Sequence, residues 1–146
     1  STIGDHTFTV TATDKAGNTT TATHHYTVRY PFQGFFSPVS NSSDEELNLT
    51  HAGDLIRIGF GLGGDRGLDI FQAGFPTSTP VACPSWAAHL VNAAGPGATT
   101  GLSFSSASGH YVYGWQTSAA WAGTCREFQV VVKDGSARTA TFLFFA

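Results

Sequence analysis

The residue types best suited to chemistry are concentrated between residues 120 and 135. Trp121, Cys125, Arg126 and Glu127 fall within seven positions there, and a run of valines follows them. A cysteine nucleophile needs a histidine or another cation nearby to lower the pKa of its thiol. The same residues could instead hold a structural disulfide at the start of a buried strand. The partner available to Cys125 decides between these two interpretations.

The chain has two cysteines, Cys83 and Cys125. Two isolated cysteines without nearby His or Cys pairs do not make a zinc site, which needs about four ligands at short spacings. We predict that they form one disulfide, as is usual in an extracytoplasmic domain, and two buried free thiols are the alternative. The loop between them is about 40 residues long, for which chain-entropy models give about 3 to 5 kcal/mol of stabilisation.

The acidic and histidine residues give no support for catalysis. A glycosidase needs two carboxylates about 5 to 9.5 Å apart across a sugar. Only Asp69 and Glu127 lie on predicted strands, and nothing in the sequence pairs them. A Gly-x-Ser-x-Gly nucleophile motif is absent. His24 and His25 are neighbours on a predicted strand, so they point to opposite faces and cannot chelate a metal together. We therefore predict that the domain is not an enzyme.

Two acidic turns are candidates for a structural calcium ion. The segment GGDRGLDI offers Asp65 and Asp69, and the segment TDKAGN offers Asp14 and Asn18. Calcium prefers six to eight oxygen ligands, so each turn falls short without backbone groups and distant partners. Ordinary turn chemistry is the favoured explanation of both segments. We predict no cofactor, with a structural calcium as the less favoured alternative.

Aromatic side chains are the remaining candidates, for stacking on sugars. The C–H faces of pyranose rings are apolar and pack on exposed aromatic rings, while sugar hydroxyls need polar partners. The candidates are Trp86, Trp121 and Tyr111. Because the two tryptophans lie close to Cys83 and Cys125, a disulfide would bring them into one neighbourhood. There they would either cap the disulfide or flank an exposed groove.

Alternation of apolar and polar residues with a period of two predicts the strands that position these side chains. Strong helical periodicity is absent, although one helical turn is expected near 85–91. The predicted strands are 6–12, 21–28, 55–62, 68–75, 110–117, 126–132 and 140–145, with a short extended segment at 35–39. Short strands separated by turn residues indicate an all-β fold, an antiparallel immunoglobulin-like β-sandwich.

One face of the strand at 110–117 carries Tyr111, Tyr113 and Trp115. The opposite face is smaller and less apolar, with His110, Val112, Gly114 and Gln116. One face of every sandwich strand must enter the core, so we favour the aromatic row as the inward face. The alternative is that the row forms an outward sugar platform.

The composition argues against nucleic acid and against a membrane span. Charged residues make up 12% of the chain, and the net charge is −3 with no basic run. Nucleic-acid binding relies on clustered Lys and Arg, and a membrane span needs about 20 apolar residues. We interpret the start at Ser1, without an initiator Met, as a piece of a longer protein with its targeting signal upstream.

Residues 4–28 resemble the last two strands of bacterial immunoglobulin-like domains, in which a TATDxAGN turn joins the penultimate strand to the final one. A complete sandwich of that type needs about seven strands, and an isolated hairpin is marginal in water. The hairpin therefore docks on the main domain, pairs with a neighbouring chain, or is the remnant of a truncated domain. We expect a hairpin unit at 1–29 and a sandwich domain at 30–146.

The chain from about residue 30 to 146 resembles the PxKF family, most specifically in the motifs L-G-G-x-x-G-L (62–68) and W-x-G-x-C-R (121–126). That family lies near the C-termini of secreted bacterial proteins, often after immunoglobulin-like repeats. Its naming Pro-x-Lys-Phe motif falls at 57–60, where this chain reads Arg57-Ile58-Gly59-Phe60. A role tied to that proline and lysine is therefore not carried over. The resemblance implies an accessory module without assigned catalysis.

These observations predict a non-catalytic accessory module of a larger protein, secreted or at the bacterial cell surface and appended to a secreted enzyme. Its expected partners are a polysaccharide or cell-wall glycan, bound weakly through exposed aromatics, and upstream domains of the same chain. The alternative is a structural or adhesive spacer domain with no small ligand. The exposure of Trp86, Trp115 and Trp121 would discriminate between the two.

Overall fold

The computed structural model describes residues 2–84, 89–92 and 100–146, with 89–92 described as backbone alone. Within these ranges the chain forms strands and two short 3-10 turns, without an α-helix. The strands are β1 (Gly4–Thr13), β2 (Thr19–Val28), β3 (Glu46–His51), β4 (Leu55–Phe60), β5 (Thr77–Val81), β6 (His89–Asn92), β7 (Gly101–Ser105), β8 (His110–Gln116), β9 (Cys125–Val131) and β10 (Ala137–Phe145). The all-β prediction is confirmed.

Two of the three sheets pack face to face and enclose the core. The larger has the strand order β5-β9-β10-β3-β6, and the smaller has the order β4-β8-β7. Trp115 of β8 crosses the space between them, with its ring centroid 4.7 Å from that of Phe128 and 5.1 Å from that of Phe142. This arrangement, with one disulfide, agrees with the predicted sandwich.

The five-stranded sheet is mixed, which corrects the expectation of purely antiparallel pairing. β3 runs parallel to β10 and to β6, whereas the other pairs of strands are antiparallel. Alternation in a sequence identifies the buried face of a strand, but it carries no information on the direction of the neighbouring strand. The parallel pairing of β3 with β10 and with β6 therefore could not be predicted from the alternation of residues.

Alternation of apolar and polar residues correctly identified the core residues of strands that have one buried face and one exposed face. In the predicted strand 55–62, alternation places Leu55, Arg57, Gly59 and Gly61 on one face and Ile56, Ile58, Phe60 and Leu62 on the other. The last four are all buried. The aromatic row of β8 is also the inward face, because Trp115 is only 8% exposed and Tyr113 packs against the core.

The pattern was wrong at residues 68–75, which do not form a strand. There Phe71 makes a single bridge to Val132, and the chain is otherwise a loop anchored by its backbone to the end of β9. The pattern also missed β3, which is buried on both faces at Leu47 and Asn48 and so shows no alternation. The expected helical turn near 85–91 lies partly outside the described residues, and 89–92 are the strand β6.

Asn48 ties the segment before β3 to β10. Its buried side-chain amide donates hydrogen bonds to the carbonyl oxygens of Ser40, at 2.9 Å, and Thr141, at 3.1 Å. Its side-chain oxygen accepts one from the Ser40 N–H at 2.8 Å. Because a buried amide is costly unless it is paired, these bonds hold the end of the segment at 35–40 in one place.

The hairpin of β1 and β2 carries no part of the core, whose residues lie between Phe32 and Phe144. Its apolar face is solvent-exposed, with Phe8 half exposed. The chain leaving the hairpin is held by Asp134, whose carboxylate accepts a hydrogen bond from the Tyr30 N–H at 2.6 Å and one from the Ser136 N–H at 2.7 Å. The β9–β10 turn therefore fixes the point at which the hairpin joins the sandwich.

Candidate functional site

The predicted disulfide is formed between Cys83 and Cys125. It consumes both thiols, so a cysteine nucleophile is excluded. The bond links β9 to the segment that follows β5, and Cys125 is buried at the start of β9. Of the two original interpretations of the 120–135 segment, the structural anchor is the one observed.

Trp121 packs against the core, and the side chain of Arg126 covers one face of its ring. Its ring centroid lies 5.5 Å from that of Phe144 and 6.0 Å from that of Trp115. The guanidinium carbon of Arg126 lies 4.1 Å from the Trp121 ring centroid, a cation–π contact. A sugar would have to displace that guanidinium to stack there. The predicted partner tryptophan, Trp86, lies outside the described residues and stays a prediction.

Tyr111 is not available as a sugar platform, which corrects its place among the candidates. The residue is 0% exposed, and its ring stacks on Phe60 inside the core. Its hydroxyl donates a hydrogen bond to the Gly67 carbonyl oxygen at 2.8 Å and accepts one from the Arg66 N–H at 2.6 Å. Tyr111 therefore holds the loop between β4 and β5 against the sandwich.

We expect Tyr111→Phe to lower the free energy of unfolding by about 1 to 3 kcal/mol, because the two backbone groups in the loop lose their partner. Urea denaturation at neutral pH measures the loss. Tyr113→Phe, on the same face of β8, is the matched control for removing a phenolic hydroxyl. Equal unfolding midpoints for both variants would contradict the assignment.

The same hydroxyl makes stability depend on alkaline pH. Burial raises the pKa of the Tyr111 phenol above its ordinary value of 10.0. The phenol ionises more readily in the unfolded chain than in the folded one. The stabilisation that the Tyr111 hydroxyl provides is therefore fully present below about pH 10 and is lost as the pH rises through the folded-state pKa. The stability difference between wild type and Tyr111→Phe should therefore narrow above that pH.

The acidic residues considered for calcium make turn and surface contacts. Asp14 accepts hydrogen bonds from the backbone of Ala16 and Asn18, and the Asn18 bonds lower its pKa. Asp65 accepts from the Gly67 N–H, and Asp69 pairs with Lys133. Within the described ranges, no group of three or more His, Cys, Asp or Glu side chains is placed to hold a metal.

An aromatic surface that the sequence did not single out lies on the outer side of the three-stranded sheet. Phe35 bridges to Phe60, and the Phe36 N–H donates to the Gly59 carbonyl oxygen at 2.8 Å, so this short segment runs along β4. Successive residues of an extended chain point to opposite sides. Phe35 is accordingly buried in the core, and Phe36 lies outside, half-buried.

Two glycines allow the Phe36 ring to pack closely against the outer side of the sheet. A Cβ at Gly61 would be 3.3 Å from Cζ of Phe36, and one at Gly59 would be 3.9 Å from Cδ2. The exposed imidazole of His110 packs against the ring, with the centroids 4.4 Å apart and the planes tilted by 37°. We call this surface, formed by Phe36, Arg57, Gly59, Gly61 and His110, the Phe36 face.

A groove lies on each side of the Phe36–His110 pair. One, of about 390 Å³, extends over Gln33 and Gly63. The other, of about 360 Å³, extends over Pro38 and Arg57. Such volumes are at the small end of the range for ligand sites. The Phe36 face thus combines an aromatic ring, flat backbone and polar side chains, which is the chemistry that sugar rings require.

A larger groove, of about 510 Å³, lies beside the start of β10. Its lining is polar, with Gln33, Asn41, Ser43 and Thr139, and the Arg138 guanidinium there donates to the Phe32 carbonyl oxygen. No aromatic ring is among its described lining residues, so the apolar face of a sugar would have no partner. The Phe36 face is therefore the better candidate.

The signal for the Phe36 face was present in the sequence. Two adjacent phenylalanines in an extended segment must point to opposite sides, so one of Phe35 and Phe36 had to be outside the core. Alternation in the same sequence places Arg57, Gly59 and Gly61 on the outer side of β4. What the sequence did not show is that Phe36 pairs with β4 and covers these glycines.

No helix in the described part of the chain is long and apolar enough to cross a membrane.

The chain was also compared with protein-family models, curated proteins and solved structures. None of the three comparisons found a match.

Proposed function

We propose that the chain is a non-catalytic accessory module of a larger secreted bacterial protein and that it binds polysaccharide weakly through the Phe36 face. The observation that carries this proposal is the Phe36 ring, which packs over Gly59 and Gly61 against the imidazole of His110. An accessible ring on a flat backbone surface offers the apolar contact that a pyranose needs, and the flanking grooves offer polar partners for its hydroxyls.

The disulfide supports a secreted location. Disulfides persist in oxidising compartments and are rare in the reducing cytosol. The Cys83–Cys125 bond is therefore in keeping with a domain that works outside the cytoplasm, where polysaccharides of the cell wall or of the surroundings are accessible.

Retention of the isolated chain on a panel of immobilised glycans tests this function. We expect weak retention on at least one glycan and a loss of about tenfold in affinity for Phe36→Ala, the change that about 1.4 kcal/mol produces. His110→Ala should weaken binding less, because the imidazole packed against the Phe36 ring offers a sugar less apolar area than the ring does.

Phe145→Ala is the matched control. Phe145 is 45% exposed and, like Phe36, lies beside a histidine, since its ring centroid is 5.4 Å from that of His51. It belongs to the five-stranded sheet. Its binding should equal that of wild type. Absence of retention on every glycan would refute the proposal and favour the spacer alternative. Retention that Phe36→Ala leaves unchanged would place the site elsewhere.

A further inference from the structure

We infer that the Phe36 face selects an acidic polysaccharide, with the Arg57 guanidinium binding the anionic group of a sugar whose ring stacks on Phe36. This inference rests on the proposed glycan-binding function and adds the chemical class of the glycan.

The side chain of Arg57 is exposed on the outer side of the three-stranded sheet. Its neighbour on β8 is Gly114, and the neighbour of Gly114 on β7 is Gly101. Neither glycine has a side chain that could cover the guanidinium. Arg57 precedes Gly59 by two residues along β4, which places their Cα atoms about 7 Å apart. An anionic group carried by a sugar on the Phe36 ring is therefore within the reach of the Arg57 side chain.

The charges of this surface differ from those of the chain as a whole. The chain carries ten Asp and Glu residues against seven Lys and Arg. Among the described residues that line the two grooves, however, there is no Asp or Glu, and Arg57 and His110 are both present. The ion pairs of the described chain, His51–Asp54 and Lys133–Asp69, do not include Arg57.

A guanidinium with this placement suits a planar anion. Its parallel N–H groups form paired hydrogen bonds with a carboxylate, and charge-assisted bonds of this kind are stronger than bonds to neutral hydroxyls. A sulfate ester on a sugar offers similar oxygen acceptors, so both uronate and sulfated glycans carry the required chemistry. A nucleic acid would need a cluster of cations along its backbone, which one arginine and one histidine do not supply.

The test compares polymers that share a sugar backbone and differ in whether it carries anionic groups. Retention on immobilised polygalacturonate is measured beside retention on the same polymer after methyl esterification, which keeps the backbone and removes the charge. A second arm compares dextran sulfate with dextran. Wild type should bind the charged member of at least one pair about tenfold more tightly, and the arm that shows the preference identifies carboxylate or sulfate.

Arg57→Gln should abolish the preference for the charged polymer, whereas Arg57→Lys should keep only part of it, because lysine has the charge without the planar fork. Lys15→Gln removes one positive charge from the hairpin turn and is the matched control, with an unchanged preference expected. Circular dichroism and a thermal melt confirm that each variant is folded.

The outcomes separate this inference from the function on which it rests. Equal retention of charged and neutral polymers, with a loss in Phe36→Ala, would overturn the acidic preference and leave the glycan-binding function standing. A preference that survives in Arg57→Gln would overturn the role of Arg57. Absence of retention on all four polymers and on the wider glycan panel would overturn both.

Discussion

Removing the disulfide should lower the free energy of unfolding by about 3 to 5 kcal/mol, which is the stabilisation expected for a loop of this length. The bond closes a sequence separation of 42 residues between Cys83 and Cys125. Without it, the unfolded chain gains conformational freedom and becomes more favourable. Urea denaturation with and without a thiol reductant measures the difference.

The double variant Cys83→Ala/Cys125→Ala provides the control for this experiment. Its unfolding midpoint should match that of the reduced wild type and should not respond to reductant. Because the loss is comparable to the whole stability of many domains, the variant is best compared at low temperature and low urea. Equal midpoints for oxidised and reduced wild type would show that the bond does not stabilise the fold.

Trp115→Ala should cost about 3 to 5 kcal/mol, the range for truncating a large aromatic side chain in a core. Trp115 is buried between the two sheets, where its ring contacts those of Phe128, Phe142 and Phe144. The cavity left by alanine would therefore weaken the contact of one sheet with the other. Urea denaturation followed by tryptophan fluorescence reports the change.

Trp121→Ala is the graded control, because Trp121 packs on the same cluster from the half-buried edge. A smaller loss, about 1 to 2 kcal/mol, is expected from the smaller apolar area removed from water. Trp115→Phe should also lose less than Trp115→Ala and remain folded. A larger loss for Trp121→Ala than for Trp115→Ala would contradict the assignment of Trp115 as the central residue.

The opposite positions of Trp115 and Arg57 show what alternation can predict. They lie on two paired strands of one sheet, Arg57 on β4 and Trp115 on β8. The alternation of apolar and polar residues along each strand correctly predicted which side of the sheet each side chain faces. The row of Tyr111, Tyr113 and Trp115 was expected to be inward, because the other face of β8 is smaller and less apolar. The alternation of side chains between the two faces of a strand depends only on local geometry, so it can be predicted from a single sequence.

Contacts between distant segments could not be predicted in the same way. Phe36 lies over Gly61 because the segment around Phe35 pairs with β4, and no local pattern encodes that pairing. The parallel neighbours of β3 were hidden for the same reason. The pairing of Cys83 with Cys125 was the exception, because two cysteines allow only one intramolecular disulfide.

The place of β10 in the five-stranded sheet has a consequence for biosynthesis. β10 is the last strand in the sequence, yet it lies in the middle of the sheet, between β9 and β3. During translation, β3 and β9 cannot be joined until β10 has left the ribosome, so this sheet can be completed only after β10 has been synthesised. A nonsense mutation before β10 would therefore separate the sheet into two parts instead of shortening it at an edge.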